Sequence, residues 1–305
     1  MAGRLENYTL IKKLGNQKNR KFGEVYLAQN RFNLEFCMLK RCIITPENSI
    51  VQEQLRKEAE FSFQHPSLPK TLDFFEDEEK ITLVKSYLKG ETLDVFWKKI
   101  PSRKRASYLL SILRKIIPTL EFLRENKIVH CDLKPSNILV EQIGEELNVS
   151  LIDFGMALNM AEENKRSTLF PLGFAAPELL LNRLDLVDHR TDQFALGIII
   201  WKMFAGKLPL THPNPSIFAN LQLTHPLPNH MDLPKGWYAI LQKMCFKESF
   251  RTAPNLLSQK EVTTILKNGM AGRYANLESC LSAFEKLPQR KKTGLISRIL
   301  FGNRS

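Results

Sequence analysis

The stretch His130-Cys131-Asp132-Leu133-Lys134-Pro135-Ser136-Asn137 decides how the rest of this 305-residue chain is read. Within eight positions it gathers an imidazole, a thiol, a carboxylate, an ammonium and a carboxamide, with a proline that fixes the backbone between them. Asp153-Phe154-Gly155 follows 21 residues after Asp132, and Ala176-Pro177-Glu178 comes after that. Between Asn137 and Asp153, two strand-like runs (residues 137–142 and 148–154) flank a polar turn around Gly144. Such a hairpin brings Asn137 and Asp153 back side by side.

Residues of these types at this spacing suit phosphoryl transfer. That reaction asks little covalent chemistry of a protein: it needs metal ligands, a group that orients the attacking hydroxyl, and cations that offset phosphate charge. Asp132 fits the orienting or base role, and Lys134 can meet the transferred phosphate. Asn137 and Asp153 offer the oxygen ligands that Mg²⁺ prefers.

Outward from this segment the periodicity changes. Upstream, residues 9–15 and 22–30 flank a loop as a hairpin would, and residues 35–44 continue as a strand. Residues 47–63 carry Val51, Leu55, Ala59 and Phe63 at four-residue spacing, the apolar stripe of a helix that His65-Pro66 ends. Strand-like runs at 71–77 and 81–88 complete a β-rich first part. After Lys89-Gly90 the pattern is helical: residues 105–126, interrupted by Pro118, and again from Pro177 onward, with proline-rich connections over 208–234. The expectation is an α+β protein of two lobes, residues 1–88 and 89–288, with a basic tail at 289–305 and a ligand cleft between the lobes.

The bulk composition excludes several classes. Apolar residues at 43% and charged residues at 25% give an ordinary globular balance. The N-terminus lacks the apolar core of a secretory signal, and the most apolar run, 195–201, is too short to span a bilayer. Five scattered cysteines without paired spacing read as reduced thiols, so the cytoplasm is the expected compartment. A net charge of +12 raises nucleic acid as a partner, but no aromatic platforms interleave the basic residues, and that partner is not favoured. In the tail, Leu295, Ile296, Ile299 and Leu300 share one helical face, which suits an interfacial membrane contact; packing on the domain or fraying is the plainer reading.

The three motifs together resemble the eukaryotic-type (Hanks-type) Ser/Thr protein kinase family, whose pattern runs H-R-D-L-K-P-x-N, D-F-G, A-P-E. The resemblance spans about residues 8–287. It implies a bilobal protein-kinase fold, a small β-rich N-lobe with one helix over a larger, mainly helical C-lobe. It also implies ATP and Mg²⁺ as cofactors, protein substrates, and Asp132, Lys134 and Asn137 as catalytic residues, with Asn137 and Asp153 on the metal. By the same resemblance Lys40 is the strand lysine that contacts the α- and β-phosphates, and Glu58 the helix glutamate that pairs with it, with Glu60 as fallback. Taken alone, a Lys and a Glu in such sequence are more often solvated surface charges; their order and spacing favour the pair. Gly15, Gly23 and Val25 match the glycine-rich loop, Asp192 and Gly197 the segment that braces the catalytic loop, and Glu178 is expected to pair with Arg273 rather than Arg251.

Four departures make the resemblance that of a divergent member, and the loose motifs resemble those of bacterial members. Residues 16–22 lengthen the glycine-rich loop and its middle glycine is missing, although Lys18, Arg20 and Lys21 supply cations there. Lys85 stands at the gatekeeper position, usually apolar or Thr, where a buried ammonium needs a partner. It either reaches an acid, faces the nucleotide, or lies one residue out of register. Cys131 replaces the arginine that binds a phosphorylated activation loop, so activity should depend less on phosphorylation at Ser167 or Thr168. Pro171 replaces the threonine that bonds the catalytic Asp and Lys. Two other classes compete with an active protein kinase. A pseudokinase scaffold draws on these departures but commonly lacks one of Lys40, Asp132, Asn137 or Asp153. A small-molecule kinase of the aminoglycoside type shares H-x-D-x-x-x-x-N, but not Asp-Leu-Lys-Pro-Ser-Asn with the two downstream motifs.

Overall fold

The computed structural model describes residues 5–14, 23–162 and 170–288. A five-stranded antiparallel sheet forms the first lobe in the order β1-β2-β3-β5-β4, built from β1 (Tyr8–Lys13), β2 (Glu24–Asn30), β3 (Phe36–Ile43), β4 (Thr71–Glu76) and β5 (Lys80–Ser86). Alternation along β3 sets its role: Cys37 and Leu39 are buried in the core with Ala28 and Val84, which leaves Met38 and Lys40 on the opposite face. Helix α1 (Ser49–Glu60) packs across the sheet through Leu55, with Val51 and Ala59, onto Cys42, Ile81 and Leu83. It is shorter than the apolar spacing suggests, because Phe61 already has extended backbone angles and Phe63 packs in the core of the other lobe.

The chain leaves the sheet past Gly90, whose φ of +130° only glycine adopts without strain; a Cβ there would lie 2.9 Å from the Val140 carbonyl oxygen. Beyond it come β6 (Glu91–Thr92), α2 (Leu93–Lys98) and α3 (Arg105–Glu125). Pro118 lies inside α3 without ending it: Ile116, Ile117 and Leu120 are all buried, so both halves are held against one core. Then follow β7 (Ile128–Val129), the hairpin β8 (Ile138–Ile143) and β9 (Glu146–Leu151), and β10 (Leu158–Asn159). The rest is helical: α4 (Pro177–Leu180), α5 (His189–Ala205), α6 (Pro215–Thr224), α7 (Trp237–Met244), α8 (Gln259–Ala271) and α9 (Leu277–Glu285). Within the proline-rich stretch, α6 starts because Asn214 caps it and Pro215 takes the first helical position, where no N–H is needed.

The second lobe's core is centred on α3 and α5, with Trp201, Leu241 and Phe284 among its buried side chains. Gly197 lets α5 approach the start of the loop after α7, since a Cβ there would meet the Cys245 Sγ at 2.5 Å. The five cysteines are buried and none forms a disulfide. Among the described residues no helix is long and apolar enough to cross a membrane. The result is the bilobal α+β architecture that the resemblance implies.

Candidate active site

A cleft of about 750 Å³ lies between the lobes, within the size range of small-molecule sites. The sheet supplies Gly23, Val25, Met38 and Lys40, and the second lobe supplies Lys134, Asn137, Leu139 and Asp153. Pairing of Val25 with Lys40 across β2 and β3, and of Lys40 with Leu83 across β3 and β5, fixes where the lysine points. Its Nζ donates to Glu58 Oε1 and Oε2 at 2.8 and 2.6 Å and to Asp153 Oδ1 at 3.1 Å. Burial alone would push the Lys40 ammonium down, but the Asp153 and Glu58 carboxylates outweigh it and hold the charge in place. The Lys40 charge in turn holds Asp153 down at about 2. Glu58 thus takes the place expected of it; Glu60 lies on the exposed side of α1 with Lys57.

The catalytic-loop segment is shaped by three anchors. Asp192, on the first turn of α5, accepts the backbone N–H groups of His130 and Cys131 at 2.8 and 3.0 Å. Burial pushes this carboxyl up, opposed by those two donors and the His130 ring. The His130 ring packs at a tilt against Phe154, which also touches Phe61 and Phe63. Backbone strain completes the shape, because Cys131 and Asp153 both sit at positive φ, +61° and +72°. Such conformations cost non-glycine residues energy and persist where surrounding structure imposes them.

Within this frame Asp132 Oδ2 accepts from Lys134 Nζ at 2.6 Å and from Asn137 Nδ2 at 3.0 Å. Its other oxygen, Oδ1, is buried and has no hydrogen-bond partner among the described residues. Burial raises the Asp132 carboxyl above its ordinary range, with Lys134 opposing. A carboxylate locked at one oxygen and unpartnered at the other keeps an acceptor for a proton. Asn137 spends its amide nitrogen on the carbonyl and side chain of Asp132, and its oxygen, on the cleft side, accepts only a long bond from Ser136 Oγ at 3.5 Å, which leaves it a lone pair for a ligand. The β8–β9 hairpin then carries Asp153 back alongside, with Ile152 N donating to the Asn137 carbonyl at 3.0 Å.

Asn137 and Asp153 together fit a hard divalent cation such as Mg²⁺. Among the described residues no group of three or more His, Cys, Asp or Glu could hold a metal unaided. A pair of oxygen ligands matches an ion that shares its coordination with waters and substrate phosphates.

The departures also find structural accounts. Lys85 is 2% exposed, and its Nζ donates to the carbonyls of Glu58 (3.1 Å) and Phe61 (2.5 Å) and to Thr71 Oγ1 (2.9 Å). Of the expected partners an acid is not the one found: the ammonium is held by two carbonyls at the end of α1 and by the Thr71 hydroxyl. Burial pushes its ammonium down to about 8. Cys131 sits in an apolar cluster with Val129, Met156, Leu158, Phe170 and Leu179. Pro171 lines the same small crevice as Cys131 and Asp132. Gly15, the cations at 18, 20 and 21, Ser167, Thr168 and the tail lie outside the described residues. The motifs do not single out Met38, Leu88 and Leu139, which form apolar walls of the cleft. The two-residue spacing of Met38 and Lys40 in one strand is the signal that could have found the first of them.

Away from the cleft, Glu178 makes a two-pronged ion pair with Arg273, at 2.6 and 3.0 Å, as expected over Arg251; both are nearly inaccessible. Thr191 donates to the same carboxylate at 2.8 Å.

Comparison with known proteins agrees with this geometry. The family model of the protein kinase domain matches residues 8–266. An Aurora kinase of Saccharomyces cerevisiae is 32% identical over 212 residues, covering 67% of this chain and 54% of the relative. Serine/threonine-protein kinase ULK3 of Xenopus laevis is 30% identical over 230 residues, covering 73% and 47%. An Aurora kinase of Encephalitozoon cuniculi is 28% identical over 218 residues, covering 69% and 75%. The chain thus spans about half the length of the first two. A family match across most of the chain, meeting the same residues that the fold gathers in its cleft, shows that the chain belongs to the protein kinase family.

Proposed function

We propose that this chain is an ATP- and Mg²⁺-dependent protein kinase that transfers the γ-phosphoryl group to Ser or Thr hydroxyls of protein substrates, working in the cytoplasm. The observation that carries this reading is the Asp132 carboxylate, one oxygen fixed by Lys134 and Asn137 and the other buried without a partner. The substrate hydroxyl gives its proton to Asp132 Oδ1, its oxygen bonds to the γ-phosphorus, and the bond from phosphorus to the β–γ bridging oxygen breaks to release ADP. Lys40, held by Glu58, meets the α- and β-phosphates, and Lys134 offsets charge on the transferred group. A metal held by Asn137 and Asp153 would neutralise phosphate charge. Three further points support the choice of substrate and compartment: the Ser/Thr specificity in the name of one relative, Lys134 in the catalytic loop, and five buried reduced thiols.

The test is transfer of label from γ-labelled ATP to a generic basic protein. Wild type should label Ser and Thr, and Asp153→Ala or chelation with EDTA should remove the labelling. Equal labelling by wild type and Asp153→Ala would sink the enzyme reading and leave the scaffold one.

Control of activity follows from Cys131. Where a charged residue would await a phosphate, the structure packs a thiol into a cluster with Met156 and Leu158, just after Asp153-Phe154-Gly155, and Phe170 and Ala175, just before Ala176-Pro177-Glu178. Phosphatase treatment, and Ser167→Ala or Thr168→Ala, should leave the transfer rate unchanged. Loss of activity in both experiments would overturn this.

A further inference from the structure

The last turn of any helix leaves carbonyl groups without partners inside the helix. In α1 these fall at the end that carries Glu58, and they are met from the sheet. Lys85 Nζ bonds the Glu58 and Phe61 carbonyls. Thr71 Oγ1 lies 3.1 and 3.0 Å from the Ala59 and Phe61 carbonyls, which it serves as donor, and accepts from Lys85 at 2.9 Å. Thr71 and Lys85 are cross-strand partners in the β4–β5 ladder, so the two side chains act from one rigid position. A cation at a helix C-terminus also meets the negative end of the helix dipole. Three acceptors account for the three N–H bonds of an ammonium, which is how a lysine can be buried here at all.

The same helix end positions Glu58, whose carboxylate is the main ligand of Lys40. Any outward swing of α1 would break the pair with Lys40 and strand a buried ammonium. We propose that Lys85, backed by Thr71, is a positioning residue that fastens the C-terminal end of α1 to the sheet and thereby keeps Glu58 on Lys40. The proposal rests on the kinase reading for its consequence in catalysis, and on the structure alone for its consequence in the helix.

The experiment uses Lys85→Met, which keeps the length of the side chain and removes its charge, in the full chain. Amide exchange over 49–61 should quicken about tenfold, the scale of a lost hydrogen bond to a charged group, while exchange over α3 stays as in wild type. The transfer rate kcat should fall about tenfold with KM for the protein substrate unchanged. In a Glu58→Gln background the same change should cost nothing further, since residues acting through one another are not additive. Unchanged exchange in α1, equal quickening in α3, or losses that multiply in the double variant would each overturn the proposal. Thr71→Val, which removes only the hydroxyl, should act in the same direction and serves if Lys85→Met does not fold. If wild type transfers no more label than Asp153→Ala, the kinase reading fails; the exchange measurement still decides the role of Lys85.

Discussion

Asp132→Asn is expected to lower kcat by about 10²–10⁴-fold, the contribution of a positioned general base, while the melting temperature changes little. Asparagine keeps the shape and can still accept from Lys134 at one atom, but it has no oxygen able to take a proton. Because Asp132 Oδ1 is buried without a partner in the described structure, nothing else stands ready to replace it. Lys134 already spends a hydrogen bond on Oδ2 at 2.6 Å, and as an ammonium it cannot act as base. Rates of label transfer at saturating ATP, measured beside thermal unfolding, check this. A loss under about tenfold would mean that Asp132 only orients the hydroxyl and that its basicity contributes little.

Arg273→Ala should have the largest effect on stability. It leaves Glu178 charged, fully buried and bonded only by Thr191 among the contacts described above. Breaking a buried pair by removing one partner costs about 3–5 kcal/mol, which for a domain of this size corresponds to a fall of about 10 °C in melting temperature. Glu178→Leu with Arg273→Met should be milder than either single change, because no buried charge is then left alone. Arg273 also bonds the Phe246 and Arg190 carbonyls at 3.0 and 3.1 Å, so the double variant should not recover fully. Thermal unfolding of the three variants checks the cycle. A single-variant loss as small as the double one would show that those carbonyls, and not the ion pair, fix Arg273.

How much of this was legible in the sequence depends on distance along the chain. Asp132, Lys134 and Asn137 fall within six residues, so a local pattern carries them. Asp153 is readable because the intervening residues form a hairpin, whose two arms return to the same place. The pairing of Lys40 with Glu58, and of Glu178 with Arg273 95 residues later, is not contained in any local periodicity; it came from resemblance to a family pattern. The role of Lys85 was not readable either way. It depends on two facts that only the folded chain holds: the β4–β5 register that sets Lys85 beside Thr71, and the end of α1 at Glu60. Apolar spacing runs on to Phe63, but that residue serves the core of the other lobe, so the stripe overstates the helix. Pro118 misleads in the opposite sense, since buried neighbours keep α3 continuous where a missing N–H suggests a break.

The ions lining the cleft have a consequence for ionic strength. Lys40, Arg41, Lys85 and Lys134 line it together with Glu24, Glu58 and Asp153, and Asp132, bonded to Lys134 at its edge, makes four cations against four carboxylates. The chain's surplus of +12 is thus carried almost wholly outside the described cleft. Salt should therefore screen the outer surface far more than the described part of the cleft, because charges that balance over a short distance exert little long-range pull.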